Sequence, residues 1–244
     1  MMKTIWLPTI DSTNSEAFRR LPELASGTVL AAHEQTAGRG QRGNRWYVAP
    51  GDNLTFSVVL RFSGLPAAKA FRLNVLCPLA VARFLRASGV KAVVKWPNDV
   101  YVGRRKICGI LVENALEGAS VAASVAGIGI NVNQTEFPEV SGATSMSLLT
   151  GIRYDVESEL ERFLSFLEPM IPAIEDDTLW EDLFREYNAG LFGLGVLERY
   201  RDNTSGREFS AVIRGVTEDG LLQLWDNDSG LIRHYAFKEV GYIL

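Results

Sequence analysis

Between Lys95 and Asn114 the chain reads K-W-P-N-D-V-Y-V-G-R-R-K-I-C-G-I-L-V-E-N, and no other segment limits the possible folds so sharply. Polar and basic residues gather at Trp96-Pro97-Asn98-Asp99 and Arg104-Arg105-Lys106, while β-branched and aliphatic residues (Val93, Val94, Val100, Val102, Ile107, Ile110, Leu111, Val112) flank them. Such runs on both sides of Gly103-Arg104 predict strands joined by a tight turn, a buried hairpin that carries charge. Strict alternation in the returning strand puts Lys106, Cys108 and Ile110 on one face and Ile107, Gly109 and Leu111 on the other. Lysine is rarely wholly buried without a partner, which makes Lys106 a candidate functional residue. A solvated hairpin tip is the plainer alternative.

A second segment, Gly38-Arg39-Gly40-Gln41-Arg42-Gly43, follows a predicted strand, Thr28 to Glu34, and matches the G-x-G-x-x-G pattern of dinucleotide sites. Its surroundings do not fit that use. The next residues, Asn44-Arg45-Trp46-Tyr47-Val48-Ala49-Pro50-Gly51, lack a helical apolar period and end in a Pro-Gly break. No acidic residue stands about twenty positions on to hold a ribose. What remains is a glycine loop containing Arg39, Arg42 and Arg45. Glycines let backbone N–H groups approach an anion, and guanidinium forks match phosphate or carboxylate oxygens in pairs. A flexible surface loop is the alternative.

Together these two segments resemble the biotin protein ligases, the biotin–[acetyl-CoA-carboxylase] ligases. Three further segments fit the family's motifs in order: Asp11-Ser12-Thr13-Asn14, Glu34-Gln35-Thr36-Ala37 and Gly127-Ile128-Gly129-Ile130-Asn131. The resemblance covers roughly the first 135 residues; G-R-G-x-R-G alone is a weak signal, whereas K-W-P-N-D followed by R-K-x-x-G-I-L-x-E is a strong one. It implies an α+β catalytic domain over 1–190, with a mixed, largely antiparallel sheet related to class II aminoacyl-tRNA synthetases. It also implies a small β-barrel like a Src-homology-3 module over 191–244.

The chemistry implied by the resemblance is the joining of biotin and ATP to biotinyl-5′-AMP, followed by transfer of biotin to one lysine of a carrier protein. Lys106 and Arg39 are then the expected catalytic cations, facing the biotin carboxylate and the α-phosphate. Ser12, Thr13, Asn14 and Gln35 are expected at the ureido ring, and Arg39, Gly40, Gln41, Lys106 and Gly109 along the rest of biotin. Arg42, Trp46 and Asn131 are expected at the nucleotide, Trp46 as a cover against water and Asn131 at the adenine edge. Magnesium would accompany the pyrophosphate with no dedicated side-chain set. Asp99 has three readings: orienting Lys106, accepting a proton from the incoming amine, or a structural ion pair with a neighbouring arginine. The family commonly has arginine where this chain has Gln41 and Asn44, which weakens the expected grip on the adenylate.

Composition narrows the class. A net charge of -4 at pH 7 argues against a general nucleic-acid binder. Cys77 and Cys108 form neither a zinc pattern nor a disulfide framework. No apolar run has the length of a membrane span, and the first residues do not read as a signal peptide, so a cytoplasmic enzyme is expected. Nothing ahead of Asp11 reads as a helix-turn-helix, so the expectation is a ligase without DNA binding. A homodimer is possible within the family. A lipoate ligase and a non-catalytic biotin or adenylate sensor are the two rival functions.

Local patterns add the remaining elements. They predict a strand at Lys3 to Leu7, a helix from Asp11 capped by Thr13 with Glu16, and a half-buried alternating strand at Leu54 to Leu60. A helix is predicted over Ala67 to Ala87, a strand over Val121 to Val132, and helices over Glu157 to Ile174 and Leu179 to Tyr187. Five short strands after Asn188, separated by Asp, Asn and Gly turns, form the expected barrel.

Overall fold

The computed structural model describes residues 2–138 and 142–243, and of Arg42 the backbone alone. Its first strand, β1 (Lys3–Ile10), pairs in parallel with β2 (Thr28–Gln35) around helix α1 (Thr13–Arg19). Ser12, rather than Thr13, is the N-cap of α1: its hydroxyl accepts from the Ser15 N–H. This corrects the expected capping box and releases the Thr13 side chain for other contacts.

The long strand β3 (Leu54–Pro66) runs antiparallel to β2 and leads into helix α2 (Arg72–Ala87). The hairpin strands are β4 (Ala92–Lys95), β5 (Asp99–Val102) and β6 (Arg105–Glu117), and β7 (Ser120–Ile130) then inserts between β6 and β3. The result among the described residues is a seven-stranded sheet, in which only the β1–β2 pair is parallel. Edge strand β4 is shielded, because Phe192 donates its N–H to the Val94 carbonyl at 2.7 Å.

Two strands depart from their sequence patterns, and both departures build the site. Residues 54–60 of β3 are buried throughout, not on alternate positions, because α2 covers one face and polar groups around α1 cover the other. Alternation in β3 therefore separates two interiors rather than core from solvent. In β6 the register against β5 shifts, with Val100 opposite Cys108 but Tyr101 opposite Lys106. Ile107 is the extra residue of a bulge, which changes the phase of the strand. Ile107 and Cys108 both enter the core, while Lys106 and Gly109 come to the same side, correcting the strict alternation.

Helix α3 (Met146–Thr150), unforeseen in the sequence, follows β7 and is capped by Ser145. Helix α4 (Val156–Leu167), a 3₁₀ segment over Glu168–Ile174 and helix α5 (Asp177–Ala189) complete the layer over α2. Phe163 of α4 packs tilted on Phe56 and edge-on to Phe84 of α2. The remaining strands, β8 (Leu197–Asp202), β9 (Glu208–Val216), β10 (Leu222–Asp226), β11 (Leu231–Tyr235) and β12 (Val240–Tyr242), form a five-stranded antiparallel C-terminal sheet. It docks on the hairpin: the Trp96 indole donates to the Gly220 carbonyl at 3.0 Å.

Candidate active site

On the sheet face opposite α2, Ala17 of α1 packs on Leu30, Val59 and Val125. Beyond the start of that helix the face turns polar or bare, and a cavity of about 310 Å³ opens there. Its wall joins the α1 start, the glycine loop, the Lys95–Asp99 turn, strands β3, β6 and β7, and the last strand of the C-terminal sheet.

One wall is neutral. The Thr13 N–H donates to Gln35 Oε1 at 2.8 Å, and the Thr13 hydroxyl lies 3.2 Å from the same oxygen. The Ser57 hydroxyl is 2.6 Å from Asn14 Oδ1 and 2.8 Å from Thr13 Oγ1. Two hydroxyl protons cannot fill all three of these oxygen contacts, so the wall is rich in unused acceptors. Asn14 Nδ2 donates to the Leu111 carbonyl at 3.2 Å and to Glu113 at 3.0 Å. Gly127 makes room for this arrangement, since a Cβ there would lie 2.2 Å from Asn14 Oδ1.

The other wall is charged. Lys106 holds Asp99 at 2.7 Å, so among the readings of Asp99 the ion pair with a neighbouring arginine is not what the structure has: its partner is the lysine. Arg39 grips Glu113 in a two-pronged pair, at 2.8 and 3.1 Å. Glu113 closes the R-K-x-x-G-I-L-x-E segment, but its pairing with Arg39 is not written in that motif, because only the fold brings strand β6 under the glycine loop. Lys95 lies on the same wall, its ammonium 4.2 Å from the Tyr242 ring centroid and 5.0 Å from that of Tyr101. Burial pushes the Cys108 thiol well above its usual range, which suits a core residue rather than a nucleophile.

Over the middle lies Trp46. Gly109 and Gly129 face each other across β6 and β7, leaving a strip of bare backbone on which the indole rests. A Cβ would come within 2.9 Å of the indole at Gly109 and within 2.3 Å at Gly129. The indole Nε1 is buried and finds no acceptor among the described residues. The loop that carries Trp46 folds on itself, with Gly40 N–H donating to the Asn44 carbonyl and Trp46 N–H to the Gly38 carbonyl.

Ser12, Thr13, Asn14, Gln35, Arg39, Gly40, Gln41, Trp46, Lys106 and Gly109 therefore meet around one cavity. Asn131 stands apart: it is buried, off the cavity wall, and its Nδ2 donates to the Thr144 carbonyl at 3.0 Å. Its amide secures the turn after β7, so the expected adenine contact does not follow from this structure. The Arg42 side chain lies outside what is described.

These residues lie within a longer likeness. Residues 6–131 match the model of the biotin/lipoate A/B protein ligase family. The chain belongs to that family. Among ligases of the family, the "Bifunctional ligase/repressor BirA" of Escherichia coli strain K12 is 44% identical over 240 residues, covering 96% of this chain and 72% of that protein. The "Biotin--[acetyl-CoA-carboxylase] ligase" of Mycobacterium tuberculosis is 30% identical, covering 87% of this chain and 79% of its own. Among solved structures, the biotin protein ligase from Aquifex aeolicus in complex with biotin and ATP superposes with a TM-score of 0.80 at 26% identity, covering 99% of this chain and 98% of that one. The α+β fold with its C-terminal β domain is thus that of biotin protein ligases, which are ATP-using enzymes. No helix among the described residues is long and apolar enough to cross a membrane.

Proposed function

We propose that the cavity activates biotin with ATP to biotinyl-5′-AMP and hands the biotinyl group to a lysine of a biotin carboxyl carrier domain of the acetyl-CoA carboxylase type. The observation that carries this reading is the meeting, in one cavity, of a neutral acceptor-rich wall and a wall of cations. A ureido ring is an apolar bicycle with two N–H donors and one carbonyl. Its donors suit the Thr13, Ser57 and Gln35 oxygens, and a ligand lacking them leaves buried acceptors unpaired. The dithiolane of lipoate offers no such groups, which favours biotin.

The first step brings a carboxylate against an α-phosphate, and repulsion between the two anions is the main barrier. Lys106 and Arg39 supply compensating charge, placed in advance by Asp99 and Glu113. ATP enters as its magnesium complex; phosphate oxygens and water supply most ligands of that ion. Among the described residues no three His, Cys, Asp or Glu side chains converge to hold a metal. Gly40 and Gln41 border biotin, the glycine loop borders the nucleotide, and Trp46 shields the adenylate from water. Residues 1–190 form the catalytic part and 191–244 an appended β module, in a cytoplasmic protein that does not need DNA.

Biotin-dependent exchange of labelled pyrophosphate into ATP tests the first step. Exchange is expected with biotin and not with lipoate, followed by biotinylation of a carrier domain with no covalent enzyme intermediate. Exchange with lipoate alone sinks the assignment, and none with either leaves only a binding protein.

A further inference from the structure

Asn14 stands between two kinds of partner. Its Nδ2 directs both hydrogens to strand β6, one to the Leu111 carbonyl at 3.2 Å and one to Glu113 Oε2 at 3.0 Å. Both partners are acceptors only, a backbone carbonyl and a carboxylate that Arg39 also holds. A flipped Asn14 amide would set its oxygen against these two acceptors, so Oδ1 must face Ser57, 2.6 Å away. Oδ1 cannot donate, and the single Ser57 hydroxyl proton therefore goes to it. That leaves the Ser57 oxygen as an acceptor for the Thr13 hydroxyl at 2.8 Å. The Thr13 proton has one other destination, Gln35 Oε1 at 3.2 Å, which already receives the Thr13 N–H. On either choice the proton stays inside the wall, and Thr13 Oγ1 turns only lone pairs to the cavity that Thr13 lines. Thr13, Asn14 and Ser57 are all buried, so bulk water does not compete for these protons.

We propose that Glu113 and Ser57 are positioning residues that set the hydrogen-bond polarity of the neutral wall, so that it accepts from ring N–H groups and rejects ring atoms that cannot donate. This rests on the biotin reading and adds to it the residues from which that selectivity comes. Glu113 anchors the chain of hydrogen bonds on β6, Ser57 passes it on from β3, and Thr13 delivers it at the start of α1. In the sheet register Gly127 of β7 stands directly between Ser57 and Leu111, and the Asn14 amide lies over its bare backbone, bridging the two outer strands. An isolated hydroxyl would not discriminate, since it rotates to donate as readily as to accept. Once its proton is committed, a ring oxygen in place of an N–H sets lone pairs against lone pairs and leaves a buried acceptor unpaired.

The test is calorimetry on the full chain without ATP, using biotin and the two cyclic carbamate analogues in which oxygen replaces one or the other ring N–H. The analogue whose oxygen meets Thr13 is expected to bind the wild-type protein roughly a hundredfold more weakly than biotin. Ser57→Ala frees the Thr13 hydroxyl to donate, and should cut that ratio to about tenfold because the analogue gains a bond that biotin does not. Glu113→Gln, which lets the Asn14 amide flip, should narrow the same ratio about threefold. A packing defect would weaken biotin and analogue alike and leave the ratio where it was. An unchanged ratio in Ser57→Ala therefore overturns the proposal, as does a wild-type protein that binds both analogues as tightly as biotin. If Ser57→Ala does not fold, an unchanged ratio in Glu113→Gln overturns it instead. Should the wild-type protein bind no biotin, the biotin reading has failed, and hydrogen exchange at the Asn14 side-chain amide then judges the chain alone: faster exchange in Glu113→Gln than in wild type upholds it, and equal exchange removes it.

Discussion

The neutral and charged walls of the cavity rise from the same strands, yet they use their polar groups differently. On the neutral wall, Thr13, Asn14, Gln35 and Ser57 bond mainly to one another, a network that exists before any ligand arrives. On the charged wall Lys106 and Arg39 are paired with carboxylates, whereas Lys95 is caged by rings. A preformed neutral network can recognise shape and hydrogen-bond polarity at little ordering cost. A wall with charge to spare attracts anions and acts on the one that changes during reaction. Recognition and chemistry are thereby divided between the walls, and this division can be broken by mutation.

The largest effects belong to the charged wall. Lys106→Ala and Arg39→Ala are each expected to slow adenylate formation by a hundredfold or more, about 3 kcal/mol for one lost transition-state donor. Removing either also takes the cation from its carboxylate partner, Asp99 or Glu113. Single-turnover formation of biotinyl-AMP measures this, with biotin affinity as the contrast. If biotin affinity falls as much as the rate, the charged wall also recognises and the division is wrong.

A smaller effect is expected from the neutral wall. Asn14→Ala removes one of the two acceptors near the Ser57 hydroxyl and a donor to Glu113 and Leu111. It should weaken biotin by about 1–3 kcal/mol, the range for buried partners left unsatisfied, and leave the affinity for pyrophosphate unchanged. Calorimetry with each ligand separately reads this out. Loss of pyrophosphate binding would mean that Asn14 acts through Glu113 and Arg39, joining the walls instead of separating them.

The two walls were unequally legible in the sequence. The neutral residues lie in two short motifs, Asp11-Ser12-Thr13-Asn14 and Glu34-Gln35, whose strand and helix positions follow from local signals. Ser57 escaped because a polar position alternating with Leu and Phe in a strand reads as facing solvent, and only the helix layer on the far side shows otherwise. Lys106 and Arg39 were visible as cations in a buried hairpin and a glycine loop. Their partners were less so, since Arg39 and Glu113 are 74 residues apart and meet through sheet order. The bulge at Ile107 hid the facing of Lys106 and Gly109, because one inserted residue inverts a period of two. Tyr242 is the extreme case: nothing near the end of the chain marks it as a neighbour of Lys95 until the C-terminal sheet docks.

The smallest expected effect concerns what holds the neutral wall in place. Helix α1 begins at Ser12, whose N–H donates to Asp11 at 2.7 Å, and Asp11 in turn receives both guanidinium prongs of Arg19 from the end of the same helix. Those Arg19 bonds hold the Asp11 carboxyl down at about 2, against an ordinary 3.8; burial opposes them and the Ser12 N–H assists. A folded-state pKa below the unfolded one means that this contribution is complete above about pH 4 and disappears as pH falls towards 2. The pair is exposed, so solvent screens it and the effect is small. Asp11→Asn should accordingly lower stability slightly at pH 7, and the gap from wild type should narrow between pH 4 and pH 2 in denaturant titrations. Because Ser12 to Asn14 follow directly, the same substitution should loosen biotin more than it affects pyrophosphate. Equal weakening of both ligands would show that α1 supports the whole cavity and not the neutral wall alone.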